Sequence, residues 1–368
     1  MDILTQGLLG AAAAQSSVPM TKVKAKATLI GFLSGLLADT DVFFRLLTSH
    51  PLDPIVLHRQ LTHSIFFMPI GALIVALVFC VFKKNRPYFK SIYWASLFGY
   101  ATHALLDCCT SYGTQLFYPF SNVRIAWDSI AIIDPIYTFI LSIGVLFSYL
   151  SRKQNKPNAH KPALIAIVLS TLYLGLGFYQ NHKTLKAHKQ IATFRGHEPN
   201  SLEFKKHRAF PAIGSLFLWR TVYQYKDQFY SDAIWTPFIG TPRWKQGPAL
   251  KAFELSKSNH PIFNFSEAKK SLKIFDWFTD GYLTKLPSSE NEIIVADVRY
   301  SMASQKYEPI WWVRVNGPNI QDTYYEFSHR NNNTQVLKSS RLQRLKQLRE
   351  DLFSMGAGFS SLPPTVDR

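Results

Sequence analysis

At 368 residues, with a formal charge of +17 and three cysteines, the chain has room for two domains but lacks the cysteines for a disulfide framework. Residues 1–180 hold four or five apolar runs, seven Asp and no Glu, whereas residues 181–368 are polar, mixed and rich in aromatics. The positive charge is spread over both parts and serves as a topology signal in the first; with no helix-turn-helix or RNA-binding signature beside it, nucleic acid is not an expected partner.

Residues 2–17 (DILTQGLLGAAAAQSS) read as a small-residue helix that can pack closely on others, and the absence of a basic n-region argues against a cleavable signal peptide. Lys22, Lys24 and Lys26 follow, and an apolar run from Ala27 to Ala38 meets Asp39-Thr40-Asp41. The segment LHRQLTHS (57–64) leads into a second run, Ser64 to Phe82, closed by Lys83, Lys84, Arg86 and Lys90. The third run, Ile92 to Leu106, carries His103 and stops at Asp107; the fourth, Ile130 to Leu150, contains Asp134-Pro135; the fifth is Ala163 to Tyr179. These lengths suit bilayer spans of about 17–25 residues, the first being short.

The basic clusters at 22–26, 83–90 and 152–161 orient the runs without conflict, placing all three on the cytoplasmic side. Asp39/Asp41, His58/His63, His103/Asp107 and Asp128/Asp134 then share the outer side. Asp39 and His103 each lie thirteen residues beyond a basic residue, Lys26 and Lys90. At the helical rise both sit roughly 20 Å from the inner boundary, just inside the outer edge of the hydrocarbon. His63, twenty residues from Lys83, is expected higher.

An imidazole and a carboxylate at such a depth are costly unless paired, solvated or bound to metal. His103 and Asp107, four apart, project from one helical face. Together with Asp39, Asp41, His58 and His63 they offer ligands for one divalent ion or two, zinc being the best match to His and Asp donors, with manganese or magnesium as alternatives. Helix capping or pairing with Arg accounts for the same residues without metal. Arg59 is either an anion anchor or a snorkelling surface side chain. Thr62 and Ser64 either support His63 or cap the helix, and Asp134 is equally well an orienting group or an N-cap followed by Pro at the first helical position. Asp128 is a further candidate for proton transfer or ligation. Gln6 reaches the pocket if the first helix starts on the outer side; packing is its other role.

The second part offers a hairpin within Ala212 to Thr236, strands within Glu292–Ser301, Pro309–Asn316 and Asp322–Ser328, and a helix at Phe265 to Phe278 packed on the sheet. Val336 to Asp351 reads as a basic helix, and the Gly/Ser/Pro-rich end from Ser354 as disordered. No Gly-rich phosphate loop, Gly-x-Ser-x-Gly elbow or His-Glu-x-x-His is present.

The pieces ADTD (38–41), HRQLTHS (58–64) and GYATHALLDCCTSYGTQLFYPFS (99–121) resemble, in order and spacing, the YdjM-like family of bacterial inner-membrane proteins described as membrane-bound metal-dependent hydrolases. The resemblance covers about residues 1–180; LTQGLLG, FLWRTVYQ and ADVRYS resemble a longer subgroup with a C-terminal extension. It implies a metal centre built from Asp39, Asp41, His58, His63, His103 and Asp107. The chain departs from the family pattern at Ala38 for Pro, Gln60 for Gly, and Gln6 where many members carry His.

The expected architecture is therefore an α-helical polytopic membrane domain (1–180) in the bacterial inner membrane, then an extracytoplasmic α+β, mostly antiparallel β domain (181–353) and a disordered tail (354–368). The expected function is metal-dependent hydrolysis of a membrane-associated phosphoester, with Asp41 or Asp128 taking a proton and Arg59 stabilising charge. The alternative is a scaffold with a structural metal whose outer domain recruits a partner. A transporter ranks third, because the inner halves of the runs carry only scattered Ser, Thr and Tyr.

Overall fold

A computed structural model describes residues 1–17, 26–301, 307–319, 322–327 and 358–364. The expected basic helix at 336–351 lies outside them. The chain separates into two compact units: Met1–Leu47 with Leu57–Phe178, and Thr48–Val56 with Tyr179–Arg368. The short segment 48–56, between Asp41 and His58, thus belongs with the second unit, which no compositional boundary in the sequence announces.

The first unit is helical: α1 (Ile3–Ser17), α2 (Lys26–Leu37), α4 (Met68–Cys80), α5 (Phe89–Cys109), α6 (Pro135–Lys153) and α7 (Lys161–Phe194), whose C-terminal part enters the second unit. Helix α3 (Asp53–Leu57) is a short turn between them. Among the described residues, Lys26–Phe44, Pro135–Lys153 and Lys161–Phe194 are long and apolar enough to cross a membrane. A fourth candidate is the pair Asp53–His63 and Met68–Cys80, bent by 81° at the break. Helix α5 spans 21 residues, and its polar and small residues Ser96, Gly99, His103 and Asp107 are buried.

Helices α1, α2 and α5 meet through small residues. A Cβ on Gly31 would lie 2.3 Å from the Gly10 carbonyl oxygen, and one on Gly99 would lie 2.9 Å from that of Gly31. Only glycine permits such backbone approach. Ala11, Ala12, Ala14, Ile30 and Ala95 fill the seams. At one end of this bundle Lys26 Nζ donates to Asn85 Oδ1 at 2.7 Å, and Arg152 donates to the Gln15 carbonyl. The described members of the three basic clusters therefore gather at one end, with the Asp/His motifs at the other.

The second unit holds two antiparallel sheets. The first has the order β1-β2-β3-β4-β9: Phe204–Pro211, Leu218–Tyr225, Gln228–Trp235, Arg243–Lys251 and Ser360–Ser361. The second is β5-β6-β7-β8: Leu283–Leu286, Ile293–Asp297, Trp311–Val315 and Thr323–Phe327. The expected hairpin closes with Tyr225 opposite Gln228, Lys226 taking a left-handed φ of 53° in the turn. Helix α8 (Ser266–Phe278) packs on the second sheet, Phe278 meeting Trp311 edge to face at 6.2 Å and Ser271 meeting Thr323 at 3.0 Å. On the segment 48–56, Leu52 is fully buried and His50 Nε2 lies 3.1 Å from Ser271 Oγ.

The expected disorder from Ser354 fails at its described part. Ser360 and Ser361 pair with Trp244 and Arg243, and buried Phe359 packs against Leu218 and Ala233. Backbone pairing to the open edge of β4 and one buried ring outweigh the flexible composition that suggested a free tail.

Candidate metal centre

The site forms where two helical segments lose regularity at one end of the bundle, beside the last turns of α5. Helix α2 tightens at Ala38 into a 3₁₀ segment, Ala38–Leu47, whose first turn carries Asp39 and Asp41. A 3₁₀ turn, Leu61–His63, presents His63 just before the 81° break into α4. Tyr100 on α5 holds that turn, its hydroxyl donating to the Thr62 carbonyl at 2.7 Å. Non-helical backbone at membrane depth is tolerated where it is buried in protein or lines a cavity. The bend also corrects the expected height of His63: its Nε2 lies 3.1 Å from that of His103, level with it.

Ligand atoms of Asp39, His63, His103 and Asp107 all lie within 4.8 Å of one another. Asp39 Oδ1 is 3.4 Å from His63 Nε2 and 3.2 Å from His103 Nε2; Asp107 Oδ2 is 3.5 and 3.8 Å from the same atoms. Four ligands at zinc distances in a tetrahedron stand about 3.3 Å apart, which these spacings straddle.

Hydrogen bonding sets the imidazoles for that role. His103 Nδ1 lies 2.5 Å from the Gly35 carbonyl oxygen, an acceptor only, so the proton sits on Nδ1 and the Nε2 lone pair faces the centre. His63 Nδ1 is met by Thr62 Oγ1 at 3.1 Å and Asp41 Oδ2 at 3.3 Å, while the Thr62 hydroxyl donates to that same Asp41 oxygen at 2.8 Å. The two Nε2 lone pairs then face the Asp39 and Asp107 carboxylates; Asp107 also has the Arg59 guanidinium at 3.1 Å and the Met1 amino group beside it, whereas Asp39 Oδ1 faces only the imidazoles among the described residues. With Asp107 balanced by those two cations, Asp39 beside the imidazoles still calls for positive charge between them, either protons on the imidazoles or a metal ion. This buried His/Asp group could hold a metal ion.

Asp41 has a different place. Its side chain is 1% exposed and accepts from His58 Nδ1 at 2.7 Å, from the Arg59 backbone N–H at 3.0 Å and from Thr62. With Asp39 and His58 it forms a second group of ligand atoms, also within 4.8 Å of one another. The His58 side chain is 35% exposed, and its ring meets that of His63 edge to face at 5.6 Å. Arg59, with a left-handed φ of 66°, aims its guanidinium inward: Nε lies 3.1 Å from Asp107 Oδ2, and Nη1 makes only long contacts, 3.4 Å to Thr110 and 3.5 Å to the Gly113 carbonyl. It does not snorkel, because the unwound turn directs it along the carboxylates. Gln6 Nε2 donates to Asp107 Oδ1 at 2.9 Å, and the Met1 amino group pairs with the same oxygen.

Three candidates stand apart. Asp134 is an N-cap: its carboxylate accepts from the Tyr137 backbone N–H at 3.0 Å and from the Tyr173 hydroxyl at 3.0 Å, with Pro135 opening α6. Ser64 donates to the Tyr118 carbonyl and accepts from the Phe66 N–H, which fixes the entry to α4. Asp128, in left-handed conformation, sits on the segment bonded to the end of α5 through Trp127 and Ser129, outside both donor groups among the described residues. Gly35, not singled out from the sequence, supplies the carbonyl that orients His103. Its signal was the Gly31-x-x-x-Gly35 spacing facing α1, where a Cβ on Gly35 would meet the Gln6 carbonyl oxygen at 2.6 Å.

Comparison with curated proteins and with solved structures gives no match. A family model described as YdjM inner membrane protein matches residues 1–184, half of the chain, and the match includes every residue of the centre. The helical unit with its candidate spans, the converging His/Asp motifs and this match agree: the chain belongs to the YdjM inner membrane protein family.

Proposed function

We propose that the protein is a membrane-bound metal-dependent hydrolase whose substrate is a membrane-associated ester, a phosphoester above all. The observation that supports the metal assignment is the convergence of His63 Nε2, His103 Nε2 and the Asp39 and Asp107 carboxylates, with both Nδ1 atoms committed elsewhere. Zinc is the favoured ion for this nitrogen and oxygen set. When bound, a divalent cation there supplies Lewis acidity, enough to make water a nucleophile near neutral pH.

The chain's own groups divide the remaining work. Asp41 and Gly35 orient the two imidazoles and hold their tautomers. Asp39, with a side chain 26% exposed, is the carboxylate of the four open to solvent and receives the proton. Arg59 balances Asp107 through Nε and directs its loosely held Nη groups at an anionic oxygen of the substrate. Asp41, saturated by donors, orients rather than takes a proton. With the basic end of the bundle cytoplasmic, the centre opens at the outer face of the inner membrane and the second unit is periplasmic.

A second reading rests on one specific observation: four protein donors complete a tetrahedral shell, the habit of structural zinc sites. In that case the protein is a scaffold whose second unit recruits a partner. Metal analysis of detergent-purified protein tests the shared premise. Wild type should carry about one equivalent of zinc, lost from a His103→Ala/Asp107→Asn variant that still elutes as a folded species. Equal, near-zero content in both after reconstitution with metal would remove both readings. Given bound metal, turnover of a p-nitrophenyl phosphodiester and of phospholipids by wild type, absent from the variant, selects the hydrolase; no turnover of either leaves the scaffold.

A further inference from the structure

The first sheet of the second unit has two chemically different ends. The β1–β2 and β3–β4 connections lie at one end and expose Ile213 (51%), Phe238 (41%) and Ile239 (93%), with Phe217 packed on Phe238 at 4.7 Å. At the other end the β2–β3 turn is Lys226-Asp227, exposed and charged, and Leu202 and the helix-end Phe194 are exposed. Isolated exposed apolar side chains are ordinary, but a cluster on two adjacent turn tips is not.

Helix α7 passes both ends of the sheet. Its apolar stretch, with Leu169, Leu172, Leu176 and Phe178 exposed, ends at Tyr179, and the next turn is Gln180-Asn181-His182-Lys183. Those residues bind the apolar tips directly. Gln180 Nε2 donates to the Thr236 carbonyl at 2.8 Å, Lys183 Nζ to the Pro237 carbonyl at 2.6 Å, and Thr184 and Thr236 hydroxyls meet at 2.7 Å. Further along, His188 reaches Asp232 at 3.2 Å and Arg195 reaches it at 2.7 Å, and just past the helix His197 stacks on Tyr225 at 4.2 Å. The helix therefore runs along the sheet from its apolar end to its charged end, and the apolar tips lie within one turn of the point where α7 turns polar.

We infer that the Ile213 and Phe238–Ile239 tips insert into the phospholipid surface from which α7 emerges, so that the second unit is seated on the membrane as well as tethered to it. The occupant is lipid because the tips are bonded to the Gln180–Thr184 turn, which directly follows in the chain an apolar stretch long enough to cross a membrane. An apolar tip of this kind buries about 5–10 Å into the boundary between headgroups and acyl chains, and Lys186 and Lys189, exposed on the next turns of α7, suit the phosphate layer. The inference is independent of any chemistry at the metal centre.

The test uses the full chain reconstituted in phosphatidylcholine/phosphatidylglycerol vesicles, in a Cys80→Ser background whose remaining cysteines, Cys108 and Cys109, are buried. An environment-sensitive fluorophore is placed on Ile239→Cys or, at the charged end, on Lys226→Cys. Both positions are exposed, so labelling should not disturb folding. The expected result is blue-shifted Ile239→Cys emission, quenched by doxyl-labelled lipid several-fold more than the Lys226→Cys emission, with the reverse order for aqueous iodide. Equal iodide access at the two positions overturns the inference. So does Ile239→Cys shielding that disappears on dilution to one chain per vesicle, which would mean that a second copy covers the patch.

Discussion

Replacing Asp41 by Asn separates a group that orients a ligand from a ligand. In the structure Asp41 Oδ2 takes the Arg59 N–H at 3.0 Å, the Thr62 hydroxyl at 2.8 Å and His63 Nδ1 at 3.3 Å, while Oδ1 takes His58 at 2.7 Å. An Asn oxygen in the Oδ2 position keeps three of these contacts but not their charge. A hydrogen bond to a charged group contributes about 1.5–3 kcal/mol against about 0.5–1.5 for a neutral one. The His63 contact is the longest of the set and should lose about 1–2 kcal/mol, which is about a 10-fold loss of metal affinity and lies within the about 10–100-fold range for partners of ligating imidazoles. Competition with a chromophoric chelator on detergent-purified protein measures it, with Asp107→Asn beside it expected to lose binding altogether. Affinity equal to wild type would refute the orienting role. Loss as complete as in Asp107→Asn would instead make Asp41 a ligand.

Asp134→Ala should lower thermal stability by about 0.5–2 kcal/mol through loss of the α6 cap and leave the metal content unchanged; a drop in bound metal at unchanged stability would return Asp134 to the centre. Gly31→Ala puts a Cβ where the Gly10 carbonyl oxygen leaves 2.3 Å, and should cost about 1–3 kcal/mol or more, read as earlier thermal loss of the monodisperse peak in size-exclusion chromatography; an unshifted transition would mean that α1 and α2 do not meet by backbone contact. In the second unit, burial and then the neighbouring His188 push His207 down to about 3 from an ordinary 6.5. The folded state thus binds fewer protons than the unfolded one across that interval, so stability is present above pH 6.5 and is lost as pH falls toward 3. Against its own burial, hydrogen bonds from His188 and Arg195 hold Asp232 at about 2, adding a loss in the same direction at lower pH. His207→Phe should flatten the upper part of the acid limb in tryptophan-monitored urea melts; an unchanged slope would show that His207 is not buried neutral.

The sequence alone determined the broad division and most elements. Runs of apolar residues give helices because each backbone polar group must be satisfied within its own segment where lipid excludes water, and alternating β-branched and aromatic residues give strands. The ligand candidates were legible for the same reason: Asp39, His63, His103 and Asp107 are costly where they stand. Spacing could not rank them, because position along a helix carries no information about a break. The 81° bend after His63 brought that imidazole level with His103, and the 3₁₀ tightening at Ala38 put Asp39 within reach of His63 and His103 Nε2 and Asp41 within reach of His58 and His63 Nδ1. Asp134 and Ser64 have the same chemistry as the residues that meet at the Asp/His cluster, and only the folded chain shows their partners, the Tyr137 N–H and the Tyr118 carbonyl. Nothing in the sequence warned that Thr48–Val56 joins the second unit or that Ser360–Ser361 completes a sheet, since the first goes with His50 meeting Ser271 and the second with an open β4 edge, each far away in the chain. Local patterns fix which backbone form a segment takes; which side chains meet depends on breaks and long-range pairings whose energies appear only when the chain is folded.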